Sequence, residues 1–378
     1  MTRSTRALLS AGLLFCGLCA PATPQEIVRF PAKGQVPPGY PAQYAAIIDA
    51  AEREGQLLVH STTDLAIASP VIDDFQALYP RIEVRYRDMG SADLYNGYLD
   101  DLLASPTTAD VLWSSAMDLQ FRAVSAGQAQ AYDSPEIPAL PEWARWKNLA
   151  FGTTFEPIAI VYNRRLVAPE EIPRTHGDLA RLLTDKRDRF AGKVVTYDIE
   201  RSGLGFLLAT QDAQASKEFW ALAKALGGVS ARVVPTTEAM LTRIARSGDL
   251  VAYNVLGSYA EIEAKKEPAL GYVFPQDYTL VVTRIAFIGK KAANPNAARL
   301  WVDYLLSKRG QAVLADRAGL APVRLDMGQA GSGAASAQAL GRNAKPIPVG
   351  PDLIAPFADR EKRLAFLKQW REAVALKP

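Results

Sequence analysis

The sequence predicts an α/β protein built from two packed lobes, and three observations support this fold class. The chain has 378 residues, of which 49% are hydrophobic, and a single core stops growing beyond about 250–300 residues. Helical and strand patterns alternate from residue 41 onward, the order that builds α/β layers. Two β segments, residues 158–162 and 279–288, each follow a group of alternating units. We therefore expect the chain to cross from one lobe to the other and back.

The individual elements follow from local patterns. Short apolar runs predict buried strands, and apolar residues at a spacing of three and four predict helices. Gly55 ends the first helix, and Asn294-Pro295 supplies an N-cap and a proline at the first helical position. Strands are predicted at residues 56–60, 82–87, 109–113, 158–162, 193–197, 231–234, 250–254, 271–274 and 279–288. Helices are predicted at residues 42–54, 70–79, 92–104, 118–126, 177–184, 204–213, 216–226, 236–247, 258–266, 296–315 and 356–375.

Residues 1–22 have the three parts of a cleavable export signal. Arg3 and Arg6 precede an apolar run at residues 7–20, and Ala20-Pro21-Ala22 has the small residues that signal peptidase accepts. The run has about 14 residues, short of the ~20 that a membrane-spanning helix needs. A helix of the folded domain is the alternative, and the prolines that follow disfavour it. We predict that the protein is exported to the periplasm.

Both cysteines, Cys16 and Cys19, lie inside this predicted signal. The exported chain would then have no disulfide, no thiolate metal site and no cysteine nucleophile. A lipidated cysteine is the alternative, but the small residues expected before such a cysteine are missing at both positions.

The rest of the chain divides by composition and by the two crossings. We predict a proline-rich lead at residues 23–41, lobe one at 42–153 and 288–325, lobe two at 154–287, and a surface excursion with a C-terminal helix at 326–378. The chain has 43 Lys+Arg against 40 Asp+Glu, and the predicted signal contains two of the arginines. This near-neutral balance argues against nucleic acid or an anionic membrane surface as a partner.

Motifs for catalysis are missing from the sequence. It has no Gly-x-Ser-x-Gly elbow, no His-Glu-x-x-His and no phosphate loop. The two histidines are His60, at the end of the first strand, and His176, which we expect in a surface turn. A core position explains His60 better than a ligand contact does. We predict no enzymatic activity and no cofactor.

Small hydroxyl and glycine residues follow three of the predicted strands. Open α/β sheets bind ligands at the carboxyl ends of their strands, where backbone N–H groups at helix N-termini accept anions. Taken singly, each cluster is explained by ordinary helix capping. The clusters are Ser61-Thr62-Thr63-Asp64, Ser114-Ser115-Ala116 and Arg201-Ser202-Gly203-Leu204-Gly205. Together they indicate a site that holds an anion without reacting with it.

Five segments, in this order, resemble the extracytoplasmic solute-binding proteins of ABC importers. The similar group contains ferric-ion, phosphonate, hexose-phosphate and phosphoglycerate binders. The segments are Leu58-Val59-His60-Ser61-Thr62-Thr63-Asp64, Ala109-Asp110-Val111-Leu112-Trp113-Ser114-Ser115, Arg201-Ser202-Gly203-Leu204-Gly205, Tyr253-Asn254-Val255-Leu256-Gly257-Ser258-Tyr259 and Gly319-Leu320-Ala321-Pro322-Val323-Arg324. The resemblance implies a two-lobe, type II-like periplasmic-binding-protein fold whose hinged lobes close over a small ligand, with an inner-membrane ABC permease as partner. We expect a monomer.

The chain departs from the ferric-binding relatives where the metal would be held. In those relatives two adjacent tyrosines and a carboxylate hold the metal. The tyrosines align here with Val255 and Leu256, and the carboxylate aligns with Ser115 or Ala116. Fe³⁺ prefers phenolate and carboxylate oxygens, so an apolar pair argues against iron. The Ser202-Gly203 stretch, which in the iron binders cradles an accompanying anion, is retained.

The hypothesis is therefore a small anionic organic ligand, either phosphorylated, a phosphonate or a carboxylate. Arg201 and Arg284 are the candidate charge partners, and an unpaired buried Arg284 would be costly without the ligand. A salt bridge from Arg284 to a carboxylate of lobe two is the equally weighted alternative. Tyr253, Asn254 and Tyr259 are further candidate contacts, although core packing explains Tyr253 equally well.

Three alternative functions remain at this point. The chain could be a ferric-ion-binding protein, or a sensor that presents its ligand to a membrane histidine kinase. A secreted hydrolase or transferase on a similar scaffold is disfavoured, because neither a nucleophile with a partner base nor a catalytic motif is visible.

Overall fold

The computed structural model describes residues 35–327, 339–354 and 359–375. The predicted signal at residues 1–22 and most of the proline-rich lead lie outside the described residues. Within the described ranges, no helix combines the length and the apolar character needed to cross a membrane.

Strands and helices alternate over most of the described chain, as the sequence predicts. The strands are β1 Gln56–Ser61, β2 Glu83–Asp88, β3 Val111–Ser114, β4 Ala129–Gln130, β5 Arg145–Trp146, β6 Ala150–Gly152, β7 Glu156–Asn163, β8 Val194–Tyr197, β9 Arg232–Val234, β10 Val251–Leu256, β11 Leu270–Val273, β12 Thr279–Val282, β13 Ile285–Gly289 and β14 Ala344–Pro346. The helices are α1 Tyr44–Glu54, α2 Leu65–Leu78, α3 Ser91–Ala104, α4 Met117–Ser125, α5 His176–Asp185, α6 Arg187–Phe190, α7 Gly203–Ala215, α8 Phe219–Gly228, α9 Thr237–Arg246, α10 Gly257–Lys266, α11 Pro295–Leu306, α12 Lys308–Asp316 and α13 Arg360–Ala373. Short 3-10 turns lie at Ile137–Ala139, Glu142–Ala144, Pro169–Glu171, Gly341–Asn343 and Pro351–Leu353.

The strands form two sheets, which define the two lobes. The sheet of lobe one has the order β2-β1-β3-β13-β6-β5, with β4 also paired to β13. Its β2, β1 and β3 are parallel, and β13 runs antiparallel to β3. The sheet of lobe two has the order β14-β12-β7-β10-β8-β9, with β11 also paired to β7. Parallel strands joined through helices place their following loops at one edge of each sheet.

The chain crosses between the lobes twice, but the second crossing is not one long strand, and the chain enters lobe one at β13, from Ile285, rather than at the predicted residue 288. Residues 279–288 are split into β12, which pairs with β7 of lobe two, and β13, which pairs with β3 of lobe one. Thr283 and Arg284 lie between them. Both strands are fully buried and therefore apolar, and only Thr283-Arg284 interrupts the run at the change of sheet.

Three other elements differ from those predicted. The helix predicted at 296–315 is two helices, because the Ser307 hydroxyl accepts from the Gly310 N–H and starts α12. The helix predicted at 70–79 begins at Leu65 and contains Pro70 inside it. Within the predicted excursion, Ala344–Pro346 pair with β12 instead of lying free on the surface.

Each lobe has buried aromatic residues at its core. In lobe one, Phe75 meets Trp301 edge-on at 5.0 Å between ring centroids. In lobe two, Phe219 stacks with Trp370 of the C-terminal helix α13 at 6.0 Å. Of the apolar residues at this end of the chain, Phe366, Leu367, Trp370 and Val374 are buried, whereas Leu364 is 53% exposed.

Candidate functional site

A cavity of about 380 Å³ lies between the two lobes. Its volume is within the range of small-molecule sites, which are typically about 300–1,000 Å³. Lobe one contributes Thr62, Asp64, Asp88, Met89, Gly90, Ser91 and Ser115. Lobe two and the second crossing contribute Tyr197, Arg201, Ser202, Leu204, Pro235, Thr236, Thr237, Glu238, Leu256, Tyr259 and Arg284.

Five of the residues that line this cavity are helix N-caps. They are Asp64 of α2, Gly90 of α3, Ser202 of α7, Thr236 of α9 and Leu256 of α10. Each helix N-terminus carries backbone N–H groups and a partial charge of roughly +0.5. The cavity is therefore surrounded by the positive ends of helices from both lobes.

The two hydroxyl clusters of lobe one meet at this edge of the sheet. The Thr62 hydroxyl lies 3.1 Å from Oγ of Ser114 and 3.2 Å from the Ser115 backbone nitrogen, whose N–H it accepts. Thr62, Asp64 and Ser115 line the cavity. Ser61 instead donates to the Trp113 carbonyl. Thr62, Asp64 and Ser115 can therefore reach a ligand, whereas Ser61 holds the loop in place.

Thr63 and Ser114, like Ser61, hold the loop in place. Oγ of Ser114 accepts from the Ala116 N–H at 3.1 Å. The Thr63 carbonyl accepts from the Tyr86 hydroxyl at 2.6 Å, and its own hydroxyl accepts from Arg284. Neither residue lines the cavity.

The third cluster presents Arg201 and Ser202 to the cavity from lobe two. The Arg201 side chain forms no ion pair with any described carboxylate. Oγ of Ser202 accepts from the Gly205 N–H at 3.1 Å, which leaves the hydroxyl hydrogen free to donate. A guanidinium and a hydroxyl donor therefore stand beside the N-terminus of α7.

Gly203 has a different role from the one expected. The sequence places Gly203 in a cluster whose backbone N–H groups are expected to meet an anion, but its N–H donates to Oγ of Ser91 in lobe one at 2.9 Å. A Cβ at this position would lie 2.7 Å from Leu119 Cδ1 and 3.2 Å from Ala116 Cβ, both in lobe one. The glycine lets the two lobes approach each other.

Arg284 is buried and paired. Its Nε lies 2.8 Å from Glu156 Oε1, although the N–H is not aligned with that oxygen, and Nη2 donates to Oε2 at 3.1 Å. Nη1 donates to the Thr63 hydroxyl at 2.8 Å. The expectation of an unpaired guanidinium is therefore wrong, and the alternative of a salt bridge is confirmed. Despite its burial, the nearby Glu156 carboxylate raises the pKa of Arg284.

Tyr253 and Asn254 do not line the cavity. The Tyr253 hydroxyl and the Asn254 amide both donate to Asp212 Oδ2 at 2.7 Å. Asn254 has a φ of 65°, and the register of β10 against β7 shifts at this point. This bulge brings two consecutive side chains to one carboxylate, although side chains of a regular strand alternate between faces.

The same buried network contains His176, which is not in a surface turn. His176 begins α5 and is 8% exposed. Its ring stacks on Tyr278 at 4.1 Å, and its Nδ1 lies 3.0 Å from Asp277. Tyr278 also donates to Asp212. The network holds lobe two together at a place that no sequence motif marks.

Tyr259 lines the cavity beside Asp64, and its ring centroid lies 5.5 Å from the Arg284 guanidinium carbon. Burial, together with the nearby Asp64 carboxylate, raises the pKa of Tyr259 to about 12, while Arg284 opposes that rise. The phenol is therefore protonated at neutral pH and can donate a hydrogen bond.

Two loops at the cavity were missed by sequence reasoning. Asp88-Met89-Gly90-Ser91 joins the end of β2 to the start of α3, and Pro235-Thr236-Thr237-Glu238 joins β9 to the start of α9. The signal that could have found them is the strand-end rule used for the three clusters, applied to the strands predicted at 82–87 and 231–234.

The sequence matches the family model of bacterial extracellular solute-binding proteins over residues 60–312. The chain is a bacterial extracellular solute-binding protein.

The fold of this solute-binding protein is shared with solved structures. The substrate-binding protein of an ABC transporter from Agrobacterium tumefaciens is 34% identical, with a TM-score of 0.81 over 84% of this chain and 94% of that one. AfuA from Actinobacillus pleuropneumoniae, solved with fructose-6-phosphate bound, is 19% identical, with a TM-score of 0.67 over 85% of this chain and 99% of that one. Iron-bound HitA from Pseudomonas aeruginosa is 17% identical, with a TM-score of 0.63 over 84% and 99%. A comparison with curated protein sequences found no match.

The family and the first of these structures confirm the resemblance and the two-lobed α/β fold class predicted from the sequence. Solute-binding proteins of ABC importers bind small ligands outside the cytoplasm and work with a membrane permease. They transport their ligands without transforming them, so the family confirms the prediction that the chain is not an enzyme.

Proposed function

We propose that this solute-binding protein captures a small anionic organic ligand, either phosphorylated, a phosphonate or a carboxylate, in the cavity between its lobes. The observation that carries this proposal is the convergence of five helix N-caps on one cavity. The N-terminus of a helix attracts anions through its free N–H groups and its dipole. An anion at this point would meet both lobes and favour their closure.

Two side chains support the proposal because they are free to bind such an anion. Arg201 lines the cavity without an ion pair to a described carboxylate, and Ser202 keeps its hydroxyl hydrogen. A charge-assisted hydrogen bond from a guanidinium is among the strongest contacts to phosphate or carboxylate. Ser115 and Tyr259 would add neutral donors from around the cavity, whereas the Thr62 hydroxyl already donates to Ser114 Oγ.

Ferric ion is disfavoured as the ligand. Val255 and Leu256, at the positions of the metal-binding tyrosines, are buried and apolar. In the described parts of the chain, no group of three or more His, Cys, Asp or Glu residues could hold a metal ion. Burial and the Asp212 carboxylate raise the pKa of Tyr253 well above its usual value, so a phenolate at this position is disfavoured.

The proposal also covers where the protein acts and which membrane protein it works with. Residues 1–22 would direct the chain to the periplasm, and an inner-membrane ABC permease would receive the ligand. The exported chain would act as a monomer. If the protein served a membrane histidine kinase instead, deletion of the cognate permease would leave the response to the ligand intact.

A thermal-shift screen of the purified protein tests the proposal. The compounds are phosphosugars, phosphonates, glycerophosphates, di- and tricarboxylates and Fe³⁺. A ligand that binds only the folded state stabilises it by about 2.7 kcal/mol at 100 times its Kd, which shifts the melting temperature clearly. We expect a shift with an organic anion and none with Fe³⁺.

Two variants make the screen specific for the site. Arg201→Ala should abolish the ligand-induced shift, because it removes the free guanidinium of the cavity. Arg53→Ala, an exposed arginine of α1 outside the cavity, should respond like the native protein. Unchanged binding in Arg201→Ala, or a coloured complex with Fe³⁺, would overturn the proposal.

A further inference from the structure

A pair of buried hydroxyl groups lines the cavity between the lobes and is not used by the proposed function. The hydroxyls belong to Tyr197, the last residue of β8, and Thr237, the first residue of α9. The two residues are 2% and 6% exposed. Neither belongs to the three hydroxyl clusters that the sequence marks.

The two hydroxyls bond to each other and to no other group of the described chain. Either oxygen can be the donor in the bond between Tyr197 and Thr237. Two hydroxyl groups carry two hydrogens, and their mutual bond uses one of them. The other hydrogen therefore has no acceptor among the described residues. A buried donor without an acceptor is costly, so this place favours a molecule that brings an acceptor.

Helix capping does not explain the pair. The Ser202 hydroxyl caps α7 by accepting from the Gly205 N–H at 3.1 Å. The Thr236 hydroxyl caps α9 by accepting from the Ala239 N–H at 3.1 Å. The Thr237 hydroxyl, one residue further along, accepts no backbone N–H from any part of the chain that the structure describes. A reason for burying it beside Tyr197 must lie elsewhere.

The first turn of α7 holds the Tyr197 side chain in place. A Cβ added at Gly205 would lie 2.4 Å from Cβ of Tyr197 and 2.8 Å from its Cγ. Glycine at this position therefore lets the helix backbone pack directly on the tyrosine. A binding group needs such support, because its hydroxyl must be in place before the ligand arrives.

The surroundings favour Tyr197 as the residue that donates out of the pair. Burial raises the pKa of Tyr197, and a hydrogen bond donated by Thr237 opposes that rise. The nearby Tyr259 and Glu156 add to the rise, and the charge of Arg284 opposes it. The phenol therefore keeps its hydrogen at neutral pH. Tyr259 and Arg284 also line the cavity, so the neighbours of the phenol belong to the cavity wall.

We propose that Tyr197 donates a hydrogen bond to an oxygen atom of the ligand, and that Thr237 is a positioning residue that donates to the Tyr197 oxygen. This inference rests on the proposed function and adds a neutral donor to it. Both hydrogens of the pair then have acceptors, and hydrogen bonds that run in one direction strengthen each other. The ligand must present an acceptor oxygen at this place, because a carbon or ammonium group would leave the phenol hydrogen unpaired.

Titration calorimetry on the purified protein tests this assignment. The probes are inorganic phosphate, glycerol 3-phosphate, glucose 6-phosphate, 2-aminoethylphosphonate and citrate, and the variants are titrated with the probe that the native protein binds most tightly. Tyr197→Phe should weaken that binding about tenfold or more, because the donor to the probe is lost. Thr237→Val should weaken it about three- to tenfold. Thr237→Ser keeps a hydroxyl and should bind within about twofold of the native protein.

The melting temperature of the ligand-free protein separates binding from folding. Tyr98→Phe is the matched control, because Tyr98 is a buried tyrosine of lobe one whose hydroxyl donates to the Gln128 carbonyl and accepts from the Lys290 N–H. This variant should lower the melting temperature and keep the native affinity. Tyr197→Phe should lower the affinity and reduce the melting temperature less than Tyr98→Phe does, because one hydrogen of its pair has no acceptor in the ligand-free protein.

The outcomes separate this inference from the proposed function. If Tyr197→Phe binds the probe within about twofold of the native protein while Arg201→Ala does not bind it, the anion site stands and the Tyr197 donor is wrong. If Thr237→Ser binds as weakly as Thr237→Val, the positioning role of Thr237 is wrong. If Tyr197→Phe does not fold, the comparison of the two Thr237 variants still tests the pair. If none of the five probes binds the native protein, the proposed function fails together with the inference.

Discussion

Arg284 and Glu156 form an ion pair at the two crossings between the lobes. Glu156 begins β7, and Arg284 immediately precedes β13. Their side chains are 1% and 0% exposed, with Nε 2.8 Å from Oε1. Thr63 of lobe one bonds to the guanidinium, and Ser258 of lobe two donates to the carboxylate at 2.5 Å. The pair therefore connects both crossing segments with both lobes.

We predict that Glu156→Gln destabilises the protein strongly. The change leaves the buried Arg284 charge without its partner, which typically costs about 3–5 kcal/mol. The free energy of unfolding, measured by urea denaturation, should fall accordingly. Glu200→Gln is the control, because the pair of Glu200 with Arg371 lies at the surface, where such pairs contribute little. An equal loss of unfolding free energy in the two variants would show that the buried Arg284 pair contributes no more to stability than a surface pair.

We predict that Gly203→Ala weakens ligand binding without touching the ligand. The added Cβ would meet Leu119 and Ala116 across the lobe interface, so it opposes the closed arrangement. The affinity for the ligand, measured by calorimetry, should fall, and small-angle scattering should show a more open protein. Gly97→Ala is the control, because a Cβ there has open space inside α3. It should raise stability by about 0.5–1 kcal/mol and leave affinity unchanged.

We predict that Asp303 makes stability fall as the pH rises from about 4 to about 7. Burial raises the pKa of Asp303 to about 7, while hydrogen bonds from Ser134, Tyr132 and Tyr44 oppose the rise. The folded state therefore holds a proton that the unfolded state releases near pH 4. The stability that this proton provides is present at low pH and is lost as the pH passes the folded-state pKa.

The measurement for Asp303 is the free energy of unfolding as a function of pH in the native protein and in Asp303→Asn. The difference between their slopes should reach up to about 1.4 kcal/mol per pH unit. Parallel curves would show that Asp303 does not titrate in this range.

We predict that substitution by phenylalanine lowers mainly the stability at Tyr253 and mainly the ligand affinity at Tyr259. Tyr253→Phe removes a buried hydrogen bond to Asp212 and should lower the free energy of unfolding by about 1–3 kcal/mol, with affinity within about twofold. Tyr259→Phe removes a hydroxyl from the cavity lining and should lower affinity more than stability. Calorimetry and urea denaturation of both variants provide the comparison. A larger loss of affinity in Tyr253→Phe would show that Tyr253, rather than Tyr259, contacts the ligand.

The local pattern of the sequence was sufficient to predict most helices and strands and some of the residues that line the cavity. Thr62, Asp64, Ser115, Arg201, Ser202, Tyr259 and Arg284 do line the cavity between the lobes. The strand-end rule finds such residues because parallel strands deliver their following loops to one edge. The rule was applied to three strands and so missed the loops after β2 and β9. The segments at these two strand ends contribute Asp88 and Glu238 to the cavity lining.

The sequence by itself determined the α/β class, the two lobes and the absence of a catalytic motif, because these depend on periodicity and residue type along the chain. Only the tertiary structure decided the partners of individual side chains. Arg284 is paired with Glu156, Tyr253 and Asn254 bond to Asp212, and Gly203 meets Ser91 of the other lobe. These partners lie between 41 and 128 residues apart in the chain. The physical reason is that packing between distant segments sets which polar groups meet, and no local pattern encodes that choice.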